Sequence, residues 1–212
     1  MSTISPIAQF GNVPVNTAVL RDALHTYRAP QAKIKQLEQR GELIPLRRNL
    51  YLCKQNTPCS RQLIANHLLT PSYISYESVL GNAGIIPERV YTIRSSCTGR
   101  SRRFENATGT YDYVQVPLSY YPIGITIGHT AEGYGYYTAR PEKALCDLIL
   151  ATSGLRLQSP KAAGEYLEIY LRADMDALRT WNTNLLHTIA LAAHKKKADL
   201  LNLEKFIRHE CL

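Results

Sequence analysis

The chain has 212 residues, 45% of them hydrophobic and 20% charged, and a formal net charge of +8. This composition is enough to bury a core in one large domain or two smaller ones. No apolar run reaches the roughly 18 to 20 residues that a membrane-spanning helix needs, and the N-terminus lacks the basic start and apolar core of a signal peptide. We therefore expect a soluble, cytoplasmic protein with no membrane partner.

The first 54 residues predict three helices followed by a hairpin. Ser5 can cap a short first helix, and Asn16 or Thr17 can cap a second one of clear apolar periodicity. Pro30 suits the first turn of a third helix, which ends at Gly41. Two alternating segments, 43–46 and 50–54, then predict strands joined by Arg47-Arg48-Asn49. This is the order of a winged helix-turn-helix.

The rest of the chain predicts a mixed α/β region. Helices are expected from Ser60 to about Leu69 and over Ser72–Ala83, followed by four or five strands over about 90–138. Further helices are expected over about 141–210, including one near 175–193, and they form a helical tail. The fold class is thus α+β, with a winged helix-turn-helix over 1–56 and a second domain over 57–212. The boundary is placed at Gln55-Asn56-Thr57-Pro58.

The positive charge is concentrated at the start of the chain. Residues 1–55 contain 8 lysines and arginines and 3 acids, a net charge of +5, whereas the remaining residues carry +3. A basic segment of this kind attracts polyanions, above all nucleic acid. The loop Gly99–Arg103 (GRSRR) is also basic, and it is either a second phosphate contact or a solvated loop.

The third helix has two chemically different faces when it is projected at about 100° per residue. Ile34 and Leu37 fall on one face, and the opposite face is basic and rich in amides without any acid. Lysine and arginine bind phosphates and guanine, and glutamine can bind adenine. The predicted DNA contacts are Arg28, Gln31, Ala32, Lys33, Lys35, Gln36, Gln39, Arg47, Arg48 and Asn49. The alternative is an ordinary solvated helix and hairpin.

Neither the cysteines nor the catalytic motifs point to an enzyme. The five cysteines are odd in number and form no CxxC pair, which favours free thiols over disulfides or a zinc site. HExxH, GxSxG and Walker A motifs are absent from the sequence. We therefore expect no metal, no cofactor and no catalytic activity. Tyrosine outnumbers phenylalanine 14 to 3, and Tyr111, Tyr113, Tyr134 and Tyr136 are expected at half-buried strand positions rather than as stacking platforms for single-stranded bases.

Three stretches together resemble a known family. The run LRDALHTYRAPQAKIKQLEQRGELIPLRRNLYLC resembles the winged helix of the AbiE-type antitoxins (AbiEi), the regulators of type IV toxin–antitoxin and abortive-infection systems. LLTPSYISYESVLGNAGIIPERVYTI and YYTARPEKALCDLIL are similar to the second domain of that family. The motif residues are Ser72, Tyr73, Ser75, Pro141, Glu142, Lys143 and Asp147. Asn49 departs from the glycine that is usual at the hairpin turn, but asparagine tolerates left-handed backbone angles.

The resemblance implies a protein with two functions. The N-terminal domain would repress its own operon by binding double-stranded DNA at inverted repeats, an arrangement that suits a homodimer. The second domain would counteract a nucleotidyltransferase-like toxin encoded next to it, with or without a stable complex. The resemblance carries no catalytic residue.

Two further interpretations stay open at this point. The chain could instead be an adaptor whose basic N-terminal module binds an acidic protein or the toxin itself, and a nuclease that uses the basic loops is a third hypothesis. The segment that begins with Pro141-Glu142-Lys143 is either a capped core helix or a helix in which Glu142, Lys143 or Asp147 shapes the antitoxin surface.

Overall fold

The computed structural model describes residues 6–54, 59–88 and 90–211, which form a mixed α+β structure with two sheets. We refer to residues 6–54 as the N-terminal unit and to the remaining described residues as the C-terminal unit. The predicted boundary at residues 55–58 and the predicted cap Ser5 lie outside the described residues. No helix in the described part is both long and apolar enough to span a membrane.

The N-terminal unit has the two predicted helices and the hairpin, together with a short strand, β1, that was not predicted. A short 3-10 turn stands where the first helix was predicted, and the Asn16 side chain caps the second helix by accepting a hydrogen bond from the amide of Val19. Gly41 follows the third helix with a φ of 69°, as a C-terminal glycine does. The elements are the 3-10 turn Ala8–Phe10, β1 (Val15–Asn16), α1 (Thr17–Ala23), α2 (Pro30–Gln39), β2 (Leu43–Arg47) and β3 (Leu50–Cys53).

The hairpin turns at Arg48-Asn49, and Asn49 adopts the left-handed conformation expected of it, with a φ of 63°. β3 pairs antiparallel with both β1 and β2, which gives the strand order β1-β3-β2. The amide of Thr17 donates to the carbonyl of Asn49 at 3.1 Å, so the turn lies against the start of α1. The sequence departure at Asn49 therefore leaves the turn intact.

The β2–β3 hairpin is shared between two hydrophobic cores. Because side chains alternate along a strand, successive residues point to opposite faces of the hairpin. One face closes the small core of the N-terminal unit with Leu43 and Cys53, where Leu20, Leu24, Ile34 and Leu37 are also buried. The other face contributes Leu46, Leu50 and Leu52 to the large core of the C-terminal unit. The hairpin thus joins the two units through packing.

The C-terminal unit contains a six-stranded mixed sheet of order β6-β7-β5-β4-β9-β8. β4 pairs parallel with β9 and β5 pairs parallel with β7, and the other pairings are antiparallel. Four or five strands were predicted over about 90–138, and five are present, with shifts of up to three residues at their ends. The strands are β4 (Ser72–Ile74), β5 (Ile93–Cys97), β6 (Arg102–Asn106), β7 (Gly109–Gln115), β8 (Ile125–His129) and β9 (Gly135–Ala139).

One helix prediction was wrong at its start. Residues Ser72–Ile74 were predicted as helix but form β4 inside the sheet, and the helix begins only at Tyr76. A fully buried strand of three residues shows no alternation of polar and apolar residues, so the helical periodicity of the following segment was extended over it. The two helices before the long sheet are α3 (Arg61–Leu68) and α4 (Tyr76–Asn82).

α5 is the most buried helix of the C-terminal unit, with nine buried residues, and it packs against α4 and α8, while α9 packs against α6 and α8. The Ser159 side chain caps α6 by accepting a hydrogen bond from the amide of Ala162. The helix expected near 175–193 is two helices separated at residues 179–182. Lys196 donates to the carbonyls of Ile149 and Thr152 at the end of α5. The helices are α5 (Pro141–Ala151), α6 (Pro160–Glu165) with a π-helical turn Tyr166–Tyr170, α7 (Met175–Leu178), α8 (Thr183–Ala192) and α9 (Lys197–Phe206) with a π-helical turn Ile207–Cys211.

Candidate nucleic-acid interface

α2 has the two faces predicted from its sequence. Ile34 and Leu37 are buried in the small core, at 1% and 3% exposure. The predicted contact residues of the outer face are all exposed: Gln31, Ala32, Lys35, Gln36 and Gln39. The helix has ten residues, or about three turns, which is a length that fits the major groove of DNA.

The charges on this face are positive and largely unneutralised. Arg28 and Lys35 are exposed and have no acidic partner within 4.0 Å among the described residues. Lys33 is half-buried, lies 5.1 Å from the ring centroid of Tyr27 and donates to Gln36 Oε1 at 3.1 Å. Glu38, the single acid in α2, is half-buried at the flank. The outer face is therefore a cationic, hydrogen-bonding surface.

The hairpin that follows α2 presents its own basic residues. α2 packs against β2, and the hairpin turn lies against the start of α1. Arg47, Arg48 and Asn49 are exposed, and Arg47 Nη1 donates to the carbonyl of Arg48 at 3.2 Å. The predicted contact residues thus lie on two adjacent elements of the N-terminal unit.

Four of the family-like motif residues of the C-terminal unit form a buried polar cluster: Tyr73, Ser75, Lys143 and Asp147. Asp147 is at its centre: Ser75 Oγ and Tyr73 Oη donate to Asp147 Oδ2 at 2.6 and 3.0 Å. Tyr120 Oη donates to Asp147 Oδ1 at 2.8 Å, and Ser96 Oγ lies 3.3 Å from Oδ2. Four hydroxyl groups thus solvate one carboxylate inside the protein, as a buried charge requires.

Lys143 completes the cluster as the buried partner of Asp147. Its Nζ lies 3.6 Å from Asp147 Oδ1, 3.0 Å from the ring centroid of Tyr120, and donates to the carbonyl of Tyr120 at 3.1 Å. Burial lowers the pKa of Lys143 to about 8, although the negative charge of Asp147 acts in the opposite direction. Burial, together with the charge of Asp147, raises the pKa of Tyr73 and of Tyr120 far above the usual tyrosine value.

This burial decides between the two interpretations of the α5 motif. Ser72, Glu142, Lys143 and Asp147 are 0–7% exposed, and Glu142 Oε1 accepts a hydrogen bond from the amide of Asn182 at 3.0 Å. Pro141 is the first residue of α5 and is half-buried. α5 is therefore a core helix, and any influence of Glu142, Lys143 or Asp147 on a surface of the protein is indirect.

Sequence reasoning missed three members of the cluster. Tyr120 and Ser96 contact Asp147 directly, and Tyr76 Oη lies 2.8 Å from Ser96 Oγ. Because Ser96 donates to Asp147, its oxygen is left to accept from Tyr76. The unusual ratio of 14 tyrosines to 3 phenylalanines was the available signal, since it shows that phenol oxygens are used in the core. Tyr111 and Tyr113 are likewise fully buried rather than half-buried.

The described cysteines have the chemistry of buried thiols. Cys53, Cys59, Cys97 and Cys146 are free. Burial raises the pKa of Cys53 and of Cys59 to about 11, with Glu132 contributing at Cys59, so these thiols remain protonated at neutral pH. Within the described residues, no three His, Cys, Asp or Glu side chains are grouped as metal ligands would be.

Comparison with known proteins shows the fold and leaves the family open. No protein-family model matches the chain, and no curated protein sequence matches it. Among solved structures, the chain is similar to the RV2827C protein from Mycobacterium tuberculosis, with a TM-score of 0.57 at 12% identity. The similarity covers 93% of this chain and 74% of that protein, so it includes most of both units. The arrangement of the two units is therefore a fold found in a solved structure.

Proposed function

We propose that the protein is a DNA-binding transcriptional repressor that autoregulates its operon and also acts as an antitoxin against a nucleotidyltransferase-type toxin. The observation that carries the DNA-binding half is the exposed, acid-free outer face of α2, which is followed in the chain by a hairpin with two exposed arginines. In this proposal, the N-terminal unit is a winged helix-turn-helix, α2 is its recognition helix and β2–β3 is its wing.

The topology of the N-terminal unit supports this assignment. A turn, a short strand, two helices and a hairpin follow one another, and the short strand β1 joins the hairpin to give the order β1-β3-β2. In a helix-turn-helix, the second helix enters the major groove and the first helix crosses the backbone. α1 and α2 pack against each other and are joined by six residues, 24–29.

The side chains of the outer face have suitable chemistry for this role. Gln36 and Gln39 can each form paired hydrogen bonds with adenine, and Lys35 can bond guanine or a phosphate. Arg47 and Arg48 can hold phosphates next to the groove, because their guanidinium groups are exposed. The turn has only two residues, so the hairpin suits a backbone contact better than deep insertion into a groove.

The substitution Lys35→Ala/Gln36→Ala tests the DNA-binding half. We expect its affinity for the DNA upstream of its own gene to fall at least tenfold, because two groove contacts are lost at about 1–3 kcal/mol each. Fluorescence anisotropy at several salt concentrations would measure this. A matched control is Gln158→Ala/Lys161→Ala, which removes one amide and one ammonium group from exposed positions at the start of α6.

If wild-type protein fails to bind this DNA but co-purifies with the neighbouring gene product or an acidic protein, the adaptor hypothesis is correct instead. If Lys35→Ala/Gln36→Ala binds this DNA as tightly as the wild type and the control Gln158→Ala/Lys161→Ala, α2 is not the recognition helix. DNA cleavage in the presence of Mg²⁺ would favour the nuclease hypothesis.

The antitoxin half rests on the family resemblance, and a growth assay tests it separately. We expect co-expression of the chain from an inducible promoter to restore growth of cells that express the neighbouring nucleotidyltransferase. The Lys35→Ala/Gln36→Ala variant should restore growth equally well, because its C-terminal unit is unchanged. Continued growth arrest with the wild-type chain, at confirmed expression, would disprove the antitoxin half.

A further inference from the structure

The edge strand β6 separates its two neighbouring arginines onto opposite faces of the sheet. Residues paired across antiparallel strands share a face, and successive residues alternate. Arg102 is paired with Tyr113, whereas Arg103 is paired with Asp112. The basic loop noted in the sequence therefore ends in two arginines with different surroundings.

Arg103 is neutralised on its face. Its Nη2 lies 2.8 Å from Glu105 Oε1, and its Nη1 lies 3.4 Å from Asp112 Oδ2. Arg102 is also exposed, but it has no acidic partner within 4.0 Å among the described residues. One of the two arginines thus adds a net positive charge to the surface, and the other adds almost none.

The face of Arg102 is the one on which the N-terminal hairpin packs. Asn106, two pairs further along this face, donates from Nδ2 to the carbonyl of Leu46 at 3.0 Å. The next hairpin residue is Arg47, and its positive charge is close enough to Tyr113 to oppose the increase in the tyrosine pKa that burial causes. Tyr113 is the strand partner of Arg102. Arg47 and Arg102 therefore approach the same tyrosine from two different units.

We propose that Arg102 of the C-terminal unit binds a backbone phosphate of the same DNA duplex that α2 and the hairpin hold. This inference rests on the proposed DNA-binding function and extends it across the junction of the two units. Arg102 lies four residues, or about 13 Å, along β6 from the hairpin contact at Asn106. A DNA duplex bound at Arg47 and Arg48 that extends by about a further 13 Å would therefore reach Arg102.

The chemistry favours a phosphate over a base. A single arginine at the edge of a sheet, with no neighbouring groove-reading element, supplies a cation and a guanidinium fork that bonds phosphate oxygens. Such a contact carries no sequence information, but it fixes the orientation of the protein on the duplex. Both units of the protein would then contact the DNA duplex.

The test compares Arg102→Ala with Arg103→Ala in the full chain. The probe is a fluorescent 30-base-pair duplex of mixed sequence, because a phosphate contact acts on any sequence. We expect Arg102→Ala to reduce the slope of log K against log salt concentration by about 0.9, the value for one released counterion per phosphate. Arg103→Ala removes the same formal charge and should leave the slope unchanged, and Arg102→Lys should restore it.

Equal slopes for wild type, Arg102→Ala and Arg103→Ala would overturn the inference, and so would equal losses in both alanine variants. If Arg47→Ala/Arg48→Ala reduces the slope while Arg102→Ala does not, the proposed function stands and only the extension fails. If wild type binds neither this duplex nor its upstream DNA, the function and the extension fail together. Thermal unfolding of each variant checks that the substitutions leave the fold intact.

Discussion

Asp147→Ala should destabilise the protein by about 3–5 kcal/mol, the range for breaking a buried ion pair from one side. The ammonium group of Lys143 would remain buried without its carboxylate, and the hydroxyl groups of Tyr73, Ser75 and Tyr120 would lose their acceptor. Because small proteins are typically stable by only about 5–15 kcal/mol, this loss would be a large fraction of the free energy of unfolding. Urea unfolding of the full chain, followed by circular dichroism, measures the effect.

Lys143→Met provides the informative comparison. It removes the ammonium group but leaves Asp147 with its hydroxyl donors, and the methionine fills much of the same space. We expect a smaller loss than for Asp147→Ala, since the carboxylate keeps its solvation. Asp176→Ala is the control at an exposed carboxylate and should change stability by less than about 0.5 kcal/mol. A cost below about 1 kcal/mol for Asp147→Ala would show that the cluster contributes little to stability.

A fragment of residues 1–60 should not fold into a stable monomer. Leu46, Leu50 and Leu52 are buried in the large core, and the fragment would expose all three. Burying one leucine contributes about 1.5–3 kcal/mol, so the fragment would lose an amount comparable to its whole stability. Size-exclusion chromatography and circular dichroism should show aggregated or unfolded material, although the full chain is folded.

The matched control for this fragment replaces its three exposed leucines by threonine, which keeps β-propensity and removes the apolar surface. This variant should be more soluble than the parent fragment. A parent fragment that is monomeric and as helical as its counterpart in the full chain would contradict the prediction. In that case, the hairpin leucines would add little to either unit.

The sequence was sufficient to predict a helix or turn whose start and end are set by residues within it or next to it. Pro30 and Gly41 enclose α2, and Ile34 and Leu37 repeat at helical spacing, so both the helix and its buried face were predicted correctly. Asn49 was expected to take a left-handed angle because asparagine forms local hydrogen bonds that offset the steric cost, and it does. These features depend on neighbouring residues and require no knowledge of the tertiary fold.

The composition of the Asp147 cluster and the faces of β6 could not be predicted, because they depend on contacts between residues that are far apart in the sequence. Ser75 and Asp147 are 72 positions apart, and Ser96 is 51 positions from Asp147, so no pattern along the chain places them together. The motif contained four residues of the cluster, Tyr73, Ser75, Lys143 and Asp147, but the structure gives them a structural role in the core. The separation of Arg102 from Arg103 likewise follows from the register of β6 and β7, which the sequence does not specify.

The shared hairpin limits how DNA preference can change among related proteins. Alternate residues of β2 and β3 belong to the two different cores. The N-terminal unit could therefore be joined to a different C-terminal unit only if the leucine face of its hairpin also fitted the core of that unit. The outer face of α2 has no such constraint, since Lys35, Gln36 and Gln39 belong to neither core. Under the proposed function, new operator sequences would therefore arise through point substitutions on α2, with the hairpin and both cores unchanged.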